Sequence, residues 1–233
     1  MRFENLYNFR DLGGPETGDG ARVQPQRLYR SESVAYLSAA DAARLVDEYG
    51  LATVVDLRGE REVARWGRGP LGDRPLRYVH VPITDVTRGE GSMSSYYIDM
   101  LVRRADDVVG LLRRLLEPGA LPAVVHCEAG CDRTGVVAAA VLGLVGVPDE
   151  AIVADYDLTE PALAAMNARW KANYLARGNP PEKWIDEVWA ERERAMVETI
   201  EAVRERWGGW VGWADAHGFT EQEREQLRKL LVE

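Results

Sequence analysis

Five residues that can do chemistry, Cys127, Cys131, Asp132, Arg133 and Thr134, fall within eight consecutive positions of the stretch "HCEAGCDRTG", His126 to Gly135. The apolar run "LPAVVHC" before it predicts a strand, and the run after it predicts a helix beginning near Arg133. Cys127 then stands at a strand end and faces the turn that opens a helix. Backbone N–H groups and the positive end of the helix dipole converge there, which favours a thiolate and makes Cys127 a nucleophile. The same N–H groups would cradle a phosphate dianion, and Arg133, six residues after Cys127, can return to grip two phosphate oxygens with a planar fork that lysine lacks. The phosphate-binding loop therefore comprises Glu128, Ala129, Gly130, Cys131, Asp132 and Arg133. Gly130 lets the backbone curl around the anion, and Gly135 permits tight packing as the helix starts. The Thr134 hydroxyl is placed to hydrogen-bond the sulfur as it leaves a phosphocysteine intermediate.

Elements that could position this turn precede it. "SAADAARLVDEYG" (38–50) reads as a helix with Ser38 as N-cap and Gly50 as stop, and "LATVVDLR" (51–58) as a buried strand delivering Asp56 and Arg58 to its end. "LRYVHVPITD" (76–85) reads as a second strand, and 96–119 as one long amphipathic helix closed by Pro118-Gly119. Alternation of strand and helix from about 38 to 147 is the pattern of an α/β fold, a mostly parallel sheet flanked by helices with ligands beyond the strands' carboxyl ends. Asp56, Arg58, Asp85 and the cysteine turn all fall at such ends.

From Pro148 onward only helical stretches are read, with a loop at 176–183 between two of them and the last capped by Thr220 with Glu223. The chain is expected to be a single domain over 1–233, an α/β core at 1–147 carrying a helical extension at 148–233. Six of the seven tryptophans lie between Trp170 and Trp213. They read as aromatic packing of helices onto the core, the alternative being an aromatic lid over the site.

Bulk properties narrow the function classes. A net charge of −9 argues against a nucleic-acid surface. The longest apolar run, 135–148, is too short to span a bilayer, and the N-terminus lacks a secretory pattern, so the expected compartment is the cytoplasm, with export by another route left open. Two cysteines and three scattered histidines form neither a disulfide framework nor a zinc site, so no metal or other cofactor is expected.

With His126, Gly130, Thr134 and Gly135 flanking Cys127 and Arg133, the turn resembles the signature of the cysteine-based tyrosine phosphatases: His-Cys, five residues, Arg, then Ser or Thr and Gly. More narrowly, "NFRDLGG" (8–14), Arg30-Ser31, "DLR" (56–58) and "DRTG" (132–135) are similar to the bacterial branch of atypical tyrosine and lipid phosphatases, and the helical tail looks like that branch too. The resemblance implies a protein-tyrosine phosphatase acting on a phosphotyrosine-containing protein, with dual specificity or phosphoinositide hydrolysis as alternatives. It implies two steps: Cys127 attacks phosphorus while a carboxylic acid protonates the leaving oxygen, and that carboxylate then activates water. In similar enzymes the aspartate matching Asp132 is the acid, while Asp85 occupies the sort of position where dual-specificity phosphatases carry theirs.

His126 reads as a support for the turn, Asp56 as an ion-pair partner of Arg133 or Arg58, and Arg10 and Asp11 as residues near the pocket or holding loops together. The similar branch often has lysine where this chain has Cys131, and loss of that charge counts against polyphosphorylated lipid. Cys131 is either a small filler or a redox partner that traps oxidised Cys127 as a disulfide. A thiol oxidoreductase would leave Arg133 and Thr134 idle, and a phosphate-binding pseudoenzyme would not need both Cys127 and Arg133.

Overall fold

The computed structural model describes residues 3–84, 91–176, 192 and 194–233. Strands β1 (Arg10–Asp11), β2 (Leu28–Ser31), β3 (Thr53–Asp56), β4 (Arg77–His80) and β5 (Ala123–His126) form one sheet in the order β1-β2-β5-β3-β4. All neighbours pair in parallel except β1 with β2. In chain order the described helices are α1 (Ala39–Asp47), α2 (Glu60–Trp66), α3 (Met93–Arg103), α4 (Ala105–Leu116), α5 (Asp132–Leu144), α6 (Asp149–Asp157), α7 (Leu163–Ala176), α8 (Ala195–Trp207), α9 (Trp210–Ala216) and α10 (Glu221–Leu231). This is the mostly parallel, helix-flanked sheet that the alternating pattern predicts.

Side chains alternate across the strands, so each face of the sheet must be covered. Leu28, Val55 and Val125 join α3, α4 and α5 in one buried cluster, while Tyr29, Val54 and Val124 pack with Phe9, Leu37, Ala42 and Leu45 on the other face. Helix α4 buries Val108, Val109, Leu111, Leu112, Leu115 and Leu116 and leaves Arg113 and Arg114 in ion pairs at the surface. Helix α5 is apolar nearly all round and buried.

Three readings change. The short strands β1 and β2 were not expected, because "YRS" and "RD" carry too much charge to look like strands; burial of Arg30 comes from ion pairing instead. Helix α2 was likewise not expected. The single helix expected over 96–119 breaks at Arg104, where ψ rises to 19° and the guanidinium donates to Pro82 O at 2.8 Å. The break lets α3 pack on α5 and α8 while α4 packs on α10.

The tail is tied to the core at several points. Trp210 lies so close to α5 that a Cβ at Gly143 would fall 2.0 Å from its Cδ1, and Trp213 is buried with Nε1 donating to Leu101 O at 2.9 Å. These two tryptophans are packing residues. The Thr220–Glu223 capping box is present, and Arg22 and Glu233 exchange backbone hydrogen bonds. Most of the loop expected at 176–183 and the helical stretch running on to 191, with Trp184 and Trp189, lie outside the described residues. Among the described residues no helix is long and apolar enough to cross a membrane.

Candidate active site

The parallel register aligns Ser31, His126 and Asp56 at the carboxyl ends of β2, β5 and β3. The chain leaves His126, turns through Cys127 to Cys131, and enters α5 at Asp132. Cys127 is 2% exposed, and its Sγ accepts the Gly130 N–H at 3.2 Å. Gly130 has φ +67°, and a Cβ there would lie 2.4 Å from the Ser31 carbonyl, so both conformation and space require glycine.

The outer side of the turn is held from elsewhere in the fold. Asn8 Nδ2 donates to Ala129 O at 2.9 Å, Arg30 Nη2 to Gly130 O at 2.8 Å, and Ser33 N to Glu128 O at 3.0 Å. Arg30 and Arg10 are both held by Asp155 of α6, at 2.5 and 2.8 Å, so Arg10 acts as scaffold behind the turn. Burial works to raise the Asp155 pKa, and the two guanidiniums outweigh it and hold the group below the usual carboxylate range.

Arg133, in the first turn of α5, sends both Nη atoms to Glu62 of α2, at 2.6 and 2.8 Å. Glu62 also accepts the Gly59 N–H at 2.8 Å, which anchors it to the start of its own helix. Asp56 does not reach Arg133; it pairs with Arg58, both fully buried, and accepts the Tyr78 hydroxyl at 2.8 Å. Arg58 continues to Ser33 Oγ at 3.0 Å and Gly67 O at 2.9 Å, bracing the loops beside the turn. His126 Nδ1 lies 3.1 Å from Cys127 O, and burial pushes its pKa down to about 4, so at neutral pH the ring is an uncharged support.

Asp132 turns the other way. Its Oδ1 accepts the Tyr97 hydroxyl at 2.5 Å and Arg192 Nε at 2.8 Å, and its Oδ2 accepts Arg192 Nη2 at 3.1 Å. Burial would raise its pKa, but the charge and hydrogen bonds of Arg192, aided by Tyr97, lower it on balance. Tyr97 meets Tyr156 hydroxyl to hydroxyl at 2.6 Å, and Cys131 Sγ donates to Tyr156 at 3.7 Å. Both thiols are free and buried, and burial raises the Cys131 pKa strongly. Burial therefore keeps the Cys131 thiol neutral.

Several expectations shift. Thr134 Oγ1 is buried with no hydrogen-bond partner among the described residues, and the bond at the sulfur comes from Gly130 instead. Asp11 caps Gly13 N and Gln26 N at 2.8 and 2.6 Å; it braces the N-terminal loop and forms no described hydrogen bond to the turn. Asp85 lies outside the described residues. Glu128 accepts the Tyr36 hydroxyl at 2.6 Å, at the side of the turn where Arg169 stacks over the Tyr36 ring. Sequence reasoning missed Glu62, Tyr97, Asp155 and Arg192. Glu62 alone had a local signal, three residues after a glycine at a helix start. A cleft of about 580 Å³ runs between β4 and α4, and no residue of the turn lines it.

Comparison with known proteins sets this geometry in context. The family model described as "Tyrosine phosphatase family" matches residues 1–233. A protein of Cupriavidus necator, provisionally named a tyrosine-protein phosphatase, is 33% identical over 197 residues, covering 78% of this chain and 70% of its own length. The triple specificity protein phosphatase PtpB of Mycobacterium tuberculosis is 26% identical over 272 residues, covering 97% of this chain and 96% of its own. A tyrosine-protein phosphatase of Nostoc commune is 24% identical over 219 residues, covering 84% of this chain and 74% of its own.

Proposed function

Because this chain belongs to the tyrosine phosphatase family, whose members hydrolyse phosphoric monoesters, we propose that it dephosphorylates phosphotyrosine through a phosphocysteine intermediate on Cys127. The observation that carries the residue assignment is the Gly130 N–H aimed at Cys127 Sγ in a turn that runs into the N-terminus of α5, with Arg133 in the first turn of that helix. In the first step the thiolate attacks phosphorus, the bond to the leaving oxygen breaks, and Asp132 gives that oxygen its proton. In the second, ionised Asp132 takes a proton from water, the water oxygen attacks phosphorus, and the S–P bond breaks.

Arg133 fits this scheme while remaining paired. Glu62 takes one hydrogen from each Nη atom and Leu57 O faces the second on Nη1 at 3.4 Å, so of the guanidinium's five hydrogens those on Nε and the second on Nη2 remain as a side-facing fork for two phosphate oxygens. The backbone N–H groups of the turn and the α5 terminus serve the third. Glu62 thereby aims the fork rather than blocking it.

The name of the Mycobacterium relative, a triple specificity protein phosphatase, keeps a broader substrate range in view as the second reading. Cys131, neutral and buried, weighs against substrates with extra phosphates. The test is phosphate release from p-nitrophenyl phosphate, phosphopeptides of all three residue types and phosphoinositides by wild type, Cys127→Ser and Asp132→Asn. Activity is expected on phosphotyrosine and at background level for Cys127→Ser. Full activity in Cys127→Ser would overturn the nucleophile, and preference for phosphoinositide would overturn the substrate.

A further inference from the structure

We infer that Arg192 is a positioning residue that sets the protonation of Asp132, with Tyr97 as its partner in the same task; this rests on Asp132 being the acid and base proposed above. The carboxylate of Asp132 accepts three donors: Arg192 Nε at 2.8 Å, Arg192 Nη2 at 3.1 Å and the Tyr97 hydroxyl at 2.5 Å. Each hydroxyl and thiol has one hydrogen to give, so the direction of the chain behind Tyr97 follows. Tyr97 spends its hydrogen on Asp132, Tyr156 must therefore donate to Tyr97 at 2.6 Å, and Cys131 donates to Tyr156 at 3.7 Å. Every hydrogen in this buried line points toward Asp132, an arrangement that a carboxylate, accepting at both oxygens, stabilises more than a protonated carboxyl would.

Among the described residues the other groups facing Asp132 are few. Arg133 follows it on α5 and favours its ionised form; Tyr96 and Tyr97 on α3 and Tyr156 on α6 face it as neutral phenols, and Cys131 faces it as a neutral thiol. Arg133 is already committed to Glu62, whereas Arg192 lies along both oxygens of Asp132. Among the described residues Arg192 is thus the cation with the strongest hold on this carboxylate. The two chemical steps need opposite forms of Asp132, and the grip of Arg192 favours the one that activates water.

The sign is then fixed. Catalysis needs protonated Asp132 for the first step and is lost as pH rises through its pKa, so a residue that lowers this pKa draws the basic limb of the rate profile to lower pH. Removing Arg192 should move that limb upward.

The experiment measures kcat/KM from pH 4 to 9 with p-nitrophenyl phosphate and phenyl phosphate, for wild type, Arg192→Gln, Arg192→Lys, Tyr97→Phe and Asp132→Asn. The basic limb should move up by about one pH unit or more in Arg192→Gln, that is, about tenfold in rate at a fixed pH on the limb. Tyr97→Phe should shift it the same way by less, and Arg192→Lys should largely restore it. A rate loss of equal size at every pH in Arg192→Gln, with the limb unmoved, would overturn the inference and leave Arg192 a structural residue. Should Arg192→Gln not fold, an unmoved limb in Tyr97→Phe overturns it. Asp132→Asn separates the two claims: if it keeps the wild-type limb and the wild-type ratio between the two leaving groups, the acid assignment fails; if it loses both while Arg192→Gln shifts nothing, only the role of Arg192 fails.

Discussion

Replacing Asp155 by asparagine tests the scaffold behind the catalytic turn. The Asp155 side chain is 11% exposed and neutralises two guanidiniums, Arg30 at 1% and Arg10 at 14% exposure. Asparagine keeps the volume and one acceptor oxygen but leaves two neighbouring positive charges out of water. Arg10 already feels this strain: burial and the charge of Arg30 draw its pKa down to about 10 even with Asp155 present. Removing one partner from a buried ion pair costs about 3–5 kcal/mol. For a chain of this length each kcal/mol moves Tm by about 2–4 °C, so the variant should melt about 6–20 °C below wild type at pH 7. The pKa of folded Asp155 is depressed, so its stabilisation is full above the unfolded value of about 3.9 and is lost as pH falls through the folded value. The gap between wild type and variant, followed by thermal and denaturant unfolding, should therefore be constant from pH 7 to 5 and close below pH 4. Arg30 also carries Gly130 O, so kcat/KM of the folded variant should fall by about tenfold through a loosened turn. A gap under about 1 kcal/mol at pH 7 would refute the reasoning, because it would mean that Arg10 and Arg30 reach water once released.

Two further substitutions read the turn itself. Glu62→Gln removes the charge that aims Arg133 from a pair still 15% and 31% exposed, so stability should change by less than about 1 kcal/mol while kcat/KM falls up to about 100-fold; unchanged kinetics would show that Arg133 needs no guide. Gly130→Ala must hold a left-handed backbone, at about 1–2 kcal/mol, and also push the Ser31 carbonyl away. It should lose affinity for inorganic phosphate and vanadate by calorimetry, and wild-type affinity would contradict the close approach of β2.

What could be read from the sequence depended on whether the signal was local. "LPAVV" and "LATVV" are apolar, β-branched runs, so β5 and β3 were legible, and with them the placement of Cys127 and Gly130 in the turn after β5 and of Arg133 at the start of α5. Strand β2 was not, because Arg30 is charged, and what permits its burial is Asp155, 125 residues away. Separations of 60 and 59 residues likewise hide Arg192 from Asp132 and Tyr97 from Tyr156. The pairing of Asp56 was narrowed to Arg133 or Arg58; the sequence could not separate them, because the choice depends on Glu62 having already taken Arg133.

That division of partners follows from the helix at which the turn ends. Consecutive residues on an α-helix project about 100° apart, so Asp132 and Arg133, adjacent at the start of α5, cannot serve the same wall of the site. Arg133 faces α2 and meets Glu62; Asp132 faces α3 and meets Tyr97 and Arg192. A phosphate seated over the helix terminus would then have the guanidinium on one side and the carboxyl on the other, in reach of the leaving oxygen. On the proposed assignment the acid sits inside the loop, which would free the chemistry from a separate acid-bearing loop and tie the protonation of that acid to whatever cation packs beside the start of α5. In this chain that cation is Arg192, 60 residues further along the sequence than the carboxylate it holds.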